Sequence, residues 1–274
     1  MSRIRTPWIP AAALAALALA AAGCGSDSPT APASGLTQAT ADDVAVQVAQ
    51  TMAAGNGGTM TEMYAMAGAV PSAAPTGGIG LRGAFGTASA LSETTFTVGN
   101  VTYTFTRAFY DADGVELPEY GPAAVRLRVT SRAGGGIVTP QFEATLGHAG
   151  LTDVTGIAPL ADTLEFDGAG DDTVQTRFTS LDGLRTRYFY WLAHLAYADV
   201  RLLKDRDSNP WPLSGTATWA LRAERLRSGS RADVEATFDA LVVVTFNGTQ
   251  YPEVAVNGTY RYRMNLNTGQ VARI

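Results

Sequence analysis

The chain has 274 residues, with 20 basic and 25 acidic side chains and a formal net charge of −5. A mildly acidic protein is a poor binder of polyanions, so the composition excludes nucleic acid as a partner. The single cysteine, Cys24, excludes an internal disulfide, and the length is sufficient for a large hydrophobic core without one.

The N-terminus has the three parts of a secretory signal. Arg3 and Arg5 supply positive charge, residues 11–22 are an almost unbroken run of Ala and Leu, and small residues then lead to Cys24. The apolar run is too short to cross a bilayer comfortably. Residues 1–23 are therefore predicted to be a signal peptide that directs export.

The sequence Ala21-Ala22-Gly23-Cys24 resembles the cleavage motif of bacterial lipoproteins. That resemblance implies cleavage before Cys24 and attachment of lipid, palmitate included, to this cysteine. It implies anchoring in the bacterial cell envelope, with the outer membrane favoured over the inner, on the periplasmic side or at the surface. Residues 24–36 contain two prolines and no apolar pattern, and are predicted to be a flexible tether.

Residues 37–70 show the periodicity of helices. Thr40 is the predicted N-cap of a first helix over 41–53, in which apolar residues recur at every fourth position. Those positions are Val44, Val48 and Met52. A second, shorter helix is predicted over 59–69, and its methionines are interpreted as core residues. Residues 71–92 are rich in Gly, Ala, Ser and Pro, and are predicted to be a loop.

Over residues 93–274 the apolar period changes to two, which is typical of β-strands. Gly99-Asn100 predicts the first hairpin turn, residues 134–136 predict a later turn, and Asn247-Gly248 and Asn257-Gly258 predict two more. The fold is predicted to be mainly β. Long antiparallel strands would form a curved sheet, a sandwich or a half-barrel, with one or two short N-terminal helices.

Two segments allow more specific predictions. Residues 185–203 fit either a strand or a helix, and their aromatic content favours a strand. Residues 234–246 are apolar at alternate positions throughout, and the opposite face becomes apolar at Leu241 and Val243. We expect both faces of this strand to be covered there, with the first helix on the face of Leu241.

The sequence offers little chemistry for catalysis. His148 and His194 are too few for a zinc site, and each is interpreted as a core or surface residue. Calcium stays open as an alternative, because carboxylates in loops are sufficient to bind it. Asp111 with Asp113 and the group Asp167, Asp171 and Asp172 are equally consistent with calcium ligands and with turns. Residues 205–209 have the alternating oxygen ligands that open an EF-hand loop, but Pro210 stands where that loop needs Gly and Thr216 where it needs Glu. No catalytic residue, metal or cofactor is predicted, and enzyme activity is disfavoured without being excluded.

Two features could form a surface for a ligand or partner. Alternation places Tyr188 and Tyr190 on one face of a strand, with Phe189 and Trp191 on the other, so that half of these rings could point outward. Burial of both faces is the alternative. Nearby arginines are interpreted as protection of a strand edge, and contact with anionic lipid or glycan is the alternative. The candidate residues are Tyr188, Tyr190, Trp211, Trp219, Arg222 and Arg225.

The body of the chain resembles uncharacterised β-rich envelope lipoproteins of GC-rich bacteria. The function expected is that of a non-enzymatic binding or scaffold module, with the membrane, an envelope glycan, a protein or an apolar ligand as partners. The alternative is a carrier that resembles the lipoprotein-chaperone type of half-barrel. Its cavity would be lined by Val234, Phe238, Val242 and the first helix. A hydrolase of envelope polymers is a third possibility.

Overall fold

The computed structural model describes residues 36–70 and 93–274. The predicted signal peptide, Cys24, all but the last residue of the tether and the predicted loop over 71–92 lie outside the described residues. In the part of the chain that is described, no helix combines the length and the apolar content that crossing a membrane requires.

Twelve antiparallel strands of the described chain form one curved, unclosed sheet, which confirms the predicted mainly β class. Strands adjacent in the sheet are adjacent in sequence, except that β3 is a short branch that pairs with β2. The strands are β1 Glu93–Val98, β2 Asn100–Tyr110, β3 Glu116–Leu117, β4 Arg126–Thr139, β5 Phe142–Thr155, β6 Thr163–Thr179, β7 Thr186–Leu203, β8 Ser214–Leu226, β9 Val234–Thr245, β10 Glu253–Val256, β11 Tyr260–Met264 and β12 Val271–Arg273.

Two helices precede the sheet, α1 over Gln38–Met52 and α2 over Thr59–Gly68, with a short 3-10 turn between them. The N-cap of α1 is Thr37, so the prediction of Thr40 was wrong. Thr37 has the extended backbone that a cap requires, and its hydroxyl accepts a hydrogen bond from the N–H of Thr40 at 3.2 Å. The helix therefore starts one turn earlier than its apolar pattern indicates.

The helices lie inside the curve of the sheet. The predicted apolar stripe of α1, formed by Val44, Val48 and Met52, is almost completely inaccessible to solvent, and the helix packs against β9, β10, β11 and β12. The opposite, polar side of α1 is buried as well. Because both its apolar stripe and most of its polar side are buried, α1 is part of the core and the sheet is wrapped around it.

The buried polar side chains of α1 have partners on strands that are far apart in the sheet. The carboxylate of Asp42 accepts a hydrogen bond from the Tyr262 hydroxyl on β11 at 2.9 Å. Gln47 Oε1 accepts one from the Thr176 hydroxyl on β6 at 2.8 Å. These long-range bonds fix the rotation of the helix about its axis, because a rotated helix would leave buried polar groups unpaired.

The turn between the helices is bonded to both ends of the sheet. The N–H groups of Ala54 and Gly55 donate to the carbonyls of Leu266 and Asn267, just after β11, at 2.8 and 2.9 Å. The Tyr103 hydroxyl on β2 donates to the carbonyl of Gly57. The N-terminal helical segment therefore connects the first strands to the last, where the sheet itself does not close.

The predicted turn at residues 134–136 was wrong, because these glycines lie within β4 and pair with both neighbouring strands. A Cβ at Gly135 would lie 2.0 Å from the carbonyl oxygen of Asn100, so only glycine allows so close an approach of the two strands. Gly168 and Gly170 likewise lie inside β6, and the turn interpretation of the acidic residues around them was also wrong. Glycine in these strands permits close packing rather than chain reversal.

The segment 185–203 is a strand, β7, as its aromatic content predicted. The expectation for β9 was wrong in one respect, because Leu241 is 47% exposed and α1 packs on the opposite face of the sheet. The buried residues of β9 are Ala240, Val242 and Val244, while Phe238 is partly buried against the same core. The apolar side chain of Leu241 on the outer face therefore did not indicate that α1 covers that face.

Candidate functional site

The six predicted surface residues do not form one surface. Tyr188 and Tyr190 lie on the outer face of β7, and Phe189 and Trp191 are buried on its inner face, in agreement with the predicted alternation. Trp211 is partly buried in the loop before β8, where it packs against the core.

Trp219 is not a surface residue, because it is 1% exposed and points into the curve of the sheet. Its indole Nε1 donates to the carboxylate of Asp172 at 3.2 Å. Such a bond stabilises a buried indole N–H. Trp219 is therefore part of the core, and its prediction as a ligand contact was wrong.

Arg222 and Arg225 lie on opposite faces of β8. Arg222 is exposed on the outer face, opposite Asp239 of β9. Arg225 pairs across the ladder with the inward-facing Phe189, and its Nε lies 3.1 Å from a carboxylate oxygen of Glu235. The interpretation that these arginines protect a strand edge was wrong, because β8 is hydrogen-bonded to strands on both sides.

The loop between β8 and β9, residues 227–233, folds back over the outer face of β6 and β7. The side-chain amide of Gln175 donates to the carbonyl of Gly229 at 3.2 Å. Gly229 has a φ of +81°, and a Cβ there would lie 3.0 Å from the ring of Tyr188. The loop conformation and its contact with the ring both require glycine at this position.

The same loop covers Tyr190. The guanidinium carbon of Arg231 lies 3.8 Å from the centre of the Tyr190 ring, which is cation–π geometry. Glu224 holds the arginine in place through a contact of 3.2 Å. Tyr190 is therefore already in contact with the protein's own loop, while Tyr188 borders a groove.

This groove, the Tyr188 groove, has a volume of about 460 Å³. It runs across the outer face from the β4–β5 hairpin to the loop after β8. Arg177 lies 3.3 Å from Glu143 and directly opposite Tyr188 in the β6–β7 ladder. These charged groups and Gln175 therefore line the groove together with an aromatic ring. The lining residues are Gly136, Ile137, Val138, Glu143, Ala144, Thr145, Gln175, Thr176, Arg177, Tyr188 and Gly229.

Inside the sheet, a second polar group, the His148 cluster, joins α2 to four strands, β4, β5, β6 and β8. His148 Nδ1 lies 2.7 Å from Asp172 Oδ1, and its Nε2 lies 3.2 Å from Glu62 Oε1 on α2. Ser131 Oγ lies 3.4 Å from the same Nε2, and Trp219 donates to the other oxygen of Asp172. Burial by itself would lower the pKa of His148, but the two carboxylates outweigh this effect and raise the pKa to about 10. The imidazole is therefore charged at neutral pH.

The order Ser131, His148, Asp172 has the connectivity of a nucleophilic triad, but the geometry does not support catalysis. Ser131 is 1% exposed, and Glu62 competes with it for the same imidazole nitrogen. The adjoining cavity of about 20 Å³ has room for about one water molecule. A substrate cannot reach the hydroxyl, so the cluster is a structural ion network.

The three acidic stretches considered for calcium do not converge. Asp111 accepts hydrogen bonds from the N–H groups of Asp113 and Val115, as expected for a turn. Asp172 points inward to His148, while Asp171 is exposed on the outer face beside His194. In the loop over 205–209, Ser208 donates to Asp205.

One group of carboxylates does come together on the outer face, at Glu165, Asp167 and Asp199, with oxygen atoms within 4.8 Å of one another. Asp167 already accepts a hydrogen bond from the backbone N–H of Asp199 at 2.9 Å. Arg201 binds Glu165 at 2.6 Å and supplies a positive charge to the group. These contacts give Glu165 and Asp167 partners within the protein.

No protein-family model, curated protein or solved structure matches the chain. Its function is therefore inferred from the geometry of its own residues.

Proposed function

We propose that the protein is a non-enzymatic binding module of the bacterial cell envelope, anchored by lipid on Cys24, and that it binds an envelope glycan in the Tyr188 groove. The anchor is proposed from the sequence of residues 1–24. The site is proposed from the outer face of β6 and β7.

The observation that carries this proposal is the filling of the sheet by α1 and α2. A carrier of the half-barrel type would need an apolar cavity inside the curve, beside Val242 and the first helix. Val242 is fully buried there, and α1 packs directly against β9. The inner face is thus occupied by the protein's own helices, which favours binding on the outer face.

The chemistry of the Tyr188 groove fits a sugar. A sugar ring has an apolar face that stacks on an aromatic ring and a rim of hydroxyls that donate and accept hydrogen bonds. Tyr188 offers the ring, while Glu143, Gln175 and Arg177 offer planar polar groups around it.

The test is a calorimetric titration of the mature chain with soluble peptidoglycan fragments and with soluble envelope polysaccharide. Replacing Tyr188 by Ala removes the stacking surface, and a loss of about 1.4 kcal/mol would weaken binding about tenfold. Tyr251→Ala is the matched control, because Tyr251 is also exposed but lies outside the groove. The proposal would be refuted if the mature chain bound neither probe. It would also be refuted if Tyr188→Ala and Tyr251→Ala bound equally well.

A further inference from the structure

A cleft of about 580 Å³ lies at one end of the sheet, between the turns of β4–β5 and β6–β7 and the last two strands. Val46 and Gln50 of α1 line it from inside the curve of the sheet, together with Phe142 and Met264. The remaining lining residues are Gln141, Thr179, Ser180, Leu181, Gly183, Tyr251, Arg263, Asn265, Gly269, Gln270, Val271 and Ala272. This cleft is separate from the Tyr188 groove, with which it shares no lining residue.

The last strand, β12, borders this cleft and pairs with β11 alone in the described sheet. The N–H of Asn265 donates to the carbonyl of Gln270 at 2.8 Å, and the N–H of Ile274 donates to the carbonyl of Arg261 at 3.2 Å. Hydrogen-bonded pairs alternate along an antiparallel ladder, so Ala272 also directs its N–H and C=O toward β11. The N–H and C=O groups of Val271 and Arg273 must then point away from β11, along the open edge.

An open edge of this kind is a template for another strand. Two residues with outward N–H and C=O groups can form four hydrogen bonds with an extended peptide. Val271 lies at the cleft, so a strand paired there would lay alternate side chains into it. The buried Phe142 and Met264 would contact an apolar side chain of that strand.

The charge of the cleft indicates which peptides it suits. Arg263 is the one charged side chain among the described residues that line it. This arginine is exposed, and Ala272 of β12 lies directly opposite it in the ladder. A carboxylate on the bound strand would therefore meet a guanidinium close to the pairing edge.

From this geometry we infer a second binding site, in which β12 and the cleft accept an extended peptide segment of a partner protein that carries an acidic residue. The segment adds to the sheet as a further strand. This inference does not depend on the glycan proposal, because the two sites use different residues.

The experiment is selection of a phage-displayed library of random linear heptapeptides on the mature chain, followed by anisotropy measurements with the enriched peptide. Val271→Pro removes the outward N–H and leaves the hydrogen bonds to β11 in place, because this N–H is not bonded to β11. Val271→Ala shortens the side chain but keeps the N–H. The expected result is at least a tenfold loss of affinity for Val271→Pro and less than a threefold loss for Val271→Ala. Arg263→Gln should weaken the acidic peptide selectively, and Tyr188→Ala should leave peptide binding unchanged.

Hydrogen exchange on the wild-type chain tests the same site, even if Val271→Pro disturbs folding. Bound peptide should slow hydrogen exchange at the amides of Val271 and Arg273, which are the outward ones, and leave that of Ala272 unchanged. No enrichment of peptides, equal binding by Val271→Pro and Val271→Ala, or no protection of the two amides would overturn the inference. Self-association of the chain through β12 without peptide binding would overturn it as well.

Discussion

The two histidines show how position decides the role of a residue. Each imidazole Nδ1 contacts an aspartate, His148 at 2.7 Å and His194 at 3.0 Å. His148 is enclosed with Asp172 and Glu62, whereas His194 and Asp171 are exposed to solvent. Loss of the imidazole is therefore costly in the first case and of little consequence in the second.

We predict that His148→Ala lowers the free energy of unfolding by about 3–5 kcal/mol, because it leaves two buried carboxylates without their cation. His194→Ala should change it by less than about 0.5 kcal/mol. Urea unfolding of both variants measures the difference. Equal free energies of unfolding for His148→Ala and His194→Ala would mean that the His148 cluster is accessible to water.

The raised pKa of His148 predicts a specific dependence of stability on pH. A base whose folded-state pKa exceeds its unfolded value of about 6.5 stabilises the fold fully below that value. The contribution declines as the pH rises and is lost as the pH passes the folded value of about 10. The stability difference between wild type and His148→Asn should therefore shrink between pH 6.5 and pH 10. A difference that stays constant over this range in urea melts would contradict the assigned charge.

At the scale of elements, much of the fold could be predicted from sequence alternation, because each long strand buries one face against the helices. Alternation alone also places Arg222 and Arg225 on opposite faces, since they are three positions apart. Alternation could not assign Trp219 to the inner face. A period of two shows which residues share a face of the strand, but not which face lies inside the curved sheet. The partners Glu62 and His148 lie on separate elements, so only the packing of α2 on β5 brings them together.

The turn predicted at residues 134–136 was wrong because glycine occurs both in turns and at close approaches between strands. Gly168→Ala should destabilise the fold by about 1–3 kcal/mol, since the new Cβ would lie 2.5 Å from the carbonyl oxygen of Leu151. Gly147→Ala, on the neighbouring strand, meets nothing within 4 Å and should be neutral or slightly stabilising. Thermal melts of the two variants compare them directly. A tolerated Gly168→Ala would show that β5 and β6 are less closely packed than described.

At the scale of the whole molecule, the sheet encloses the N-terminal helices and exposes its outer face. The tether ends at Leu36, whose carbonyl accepts a hydrogen bond from the Tyr260 hydroxyl on β11. The described chain therefore begins beside the last strands. The proposed Tyr188 groove lies on this outer face.

The proposal that the protein acts from a membrane surface depends on lipid at Cys24, and metabolic labelling tests this most directly. Bacteria that express the full chain are supplied with radioactive palmitate and then fractionated. We expect the wild-type protein to be labelled and to be found in the membrane fraction. Cys24→Ala should be unlabelled and released from the membranes, whereas a Cys24→Ala protein that stays labelled and membrane-bound would contradict the account.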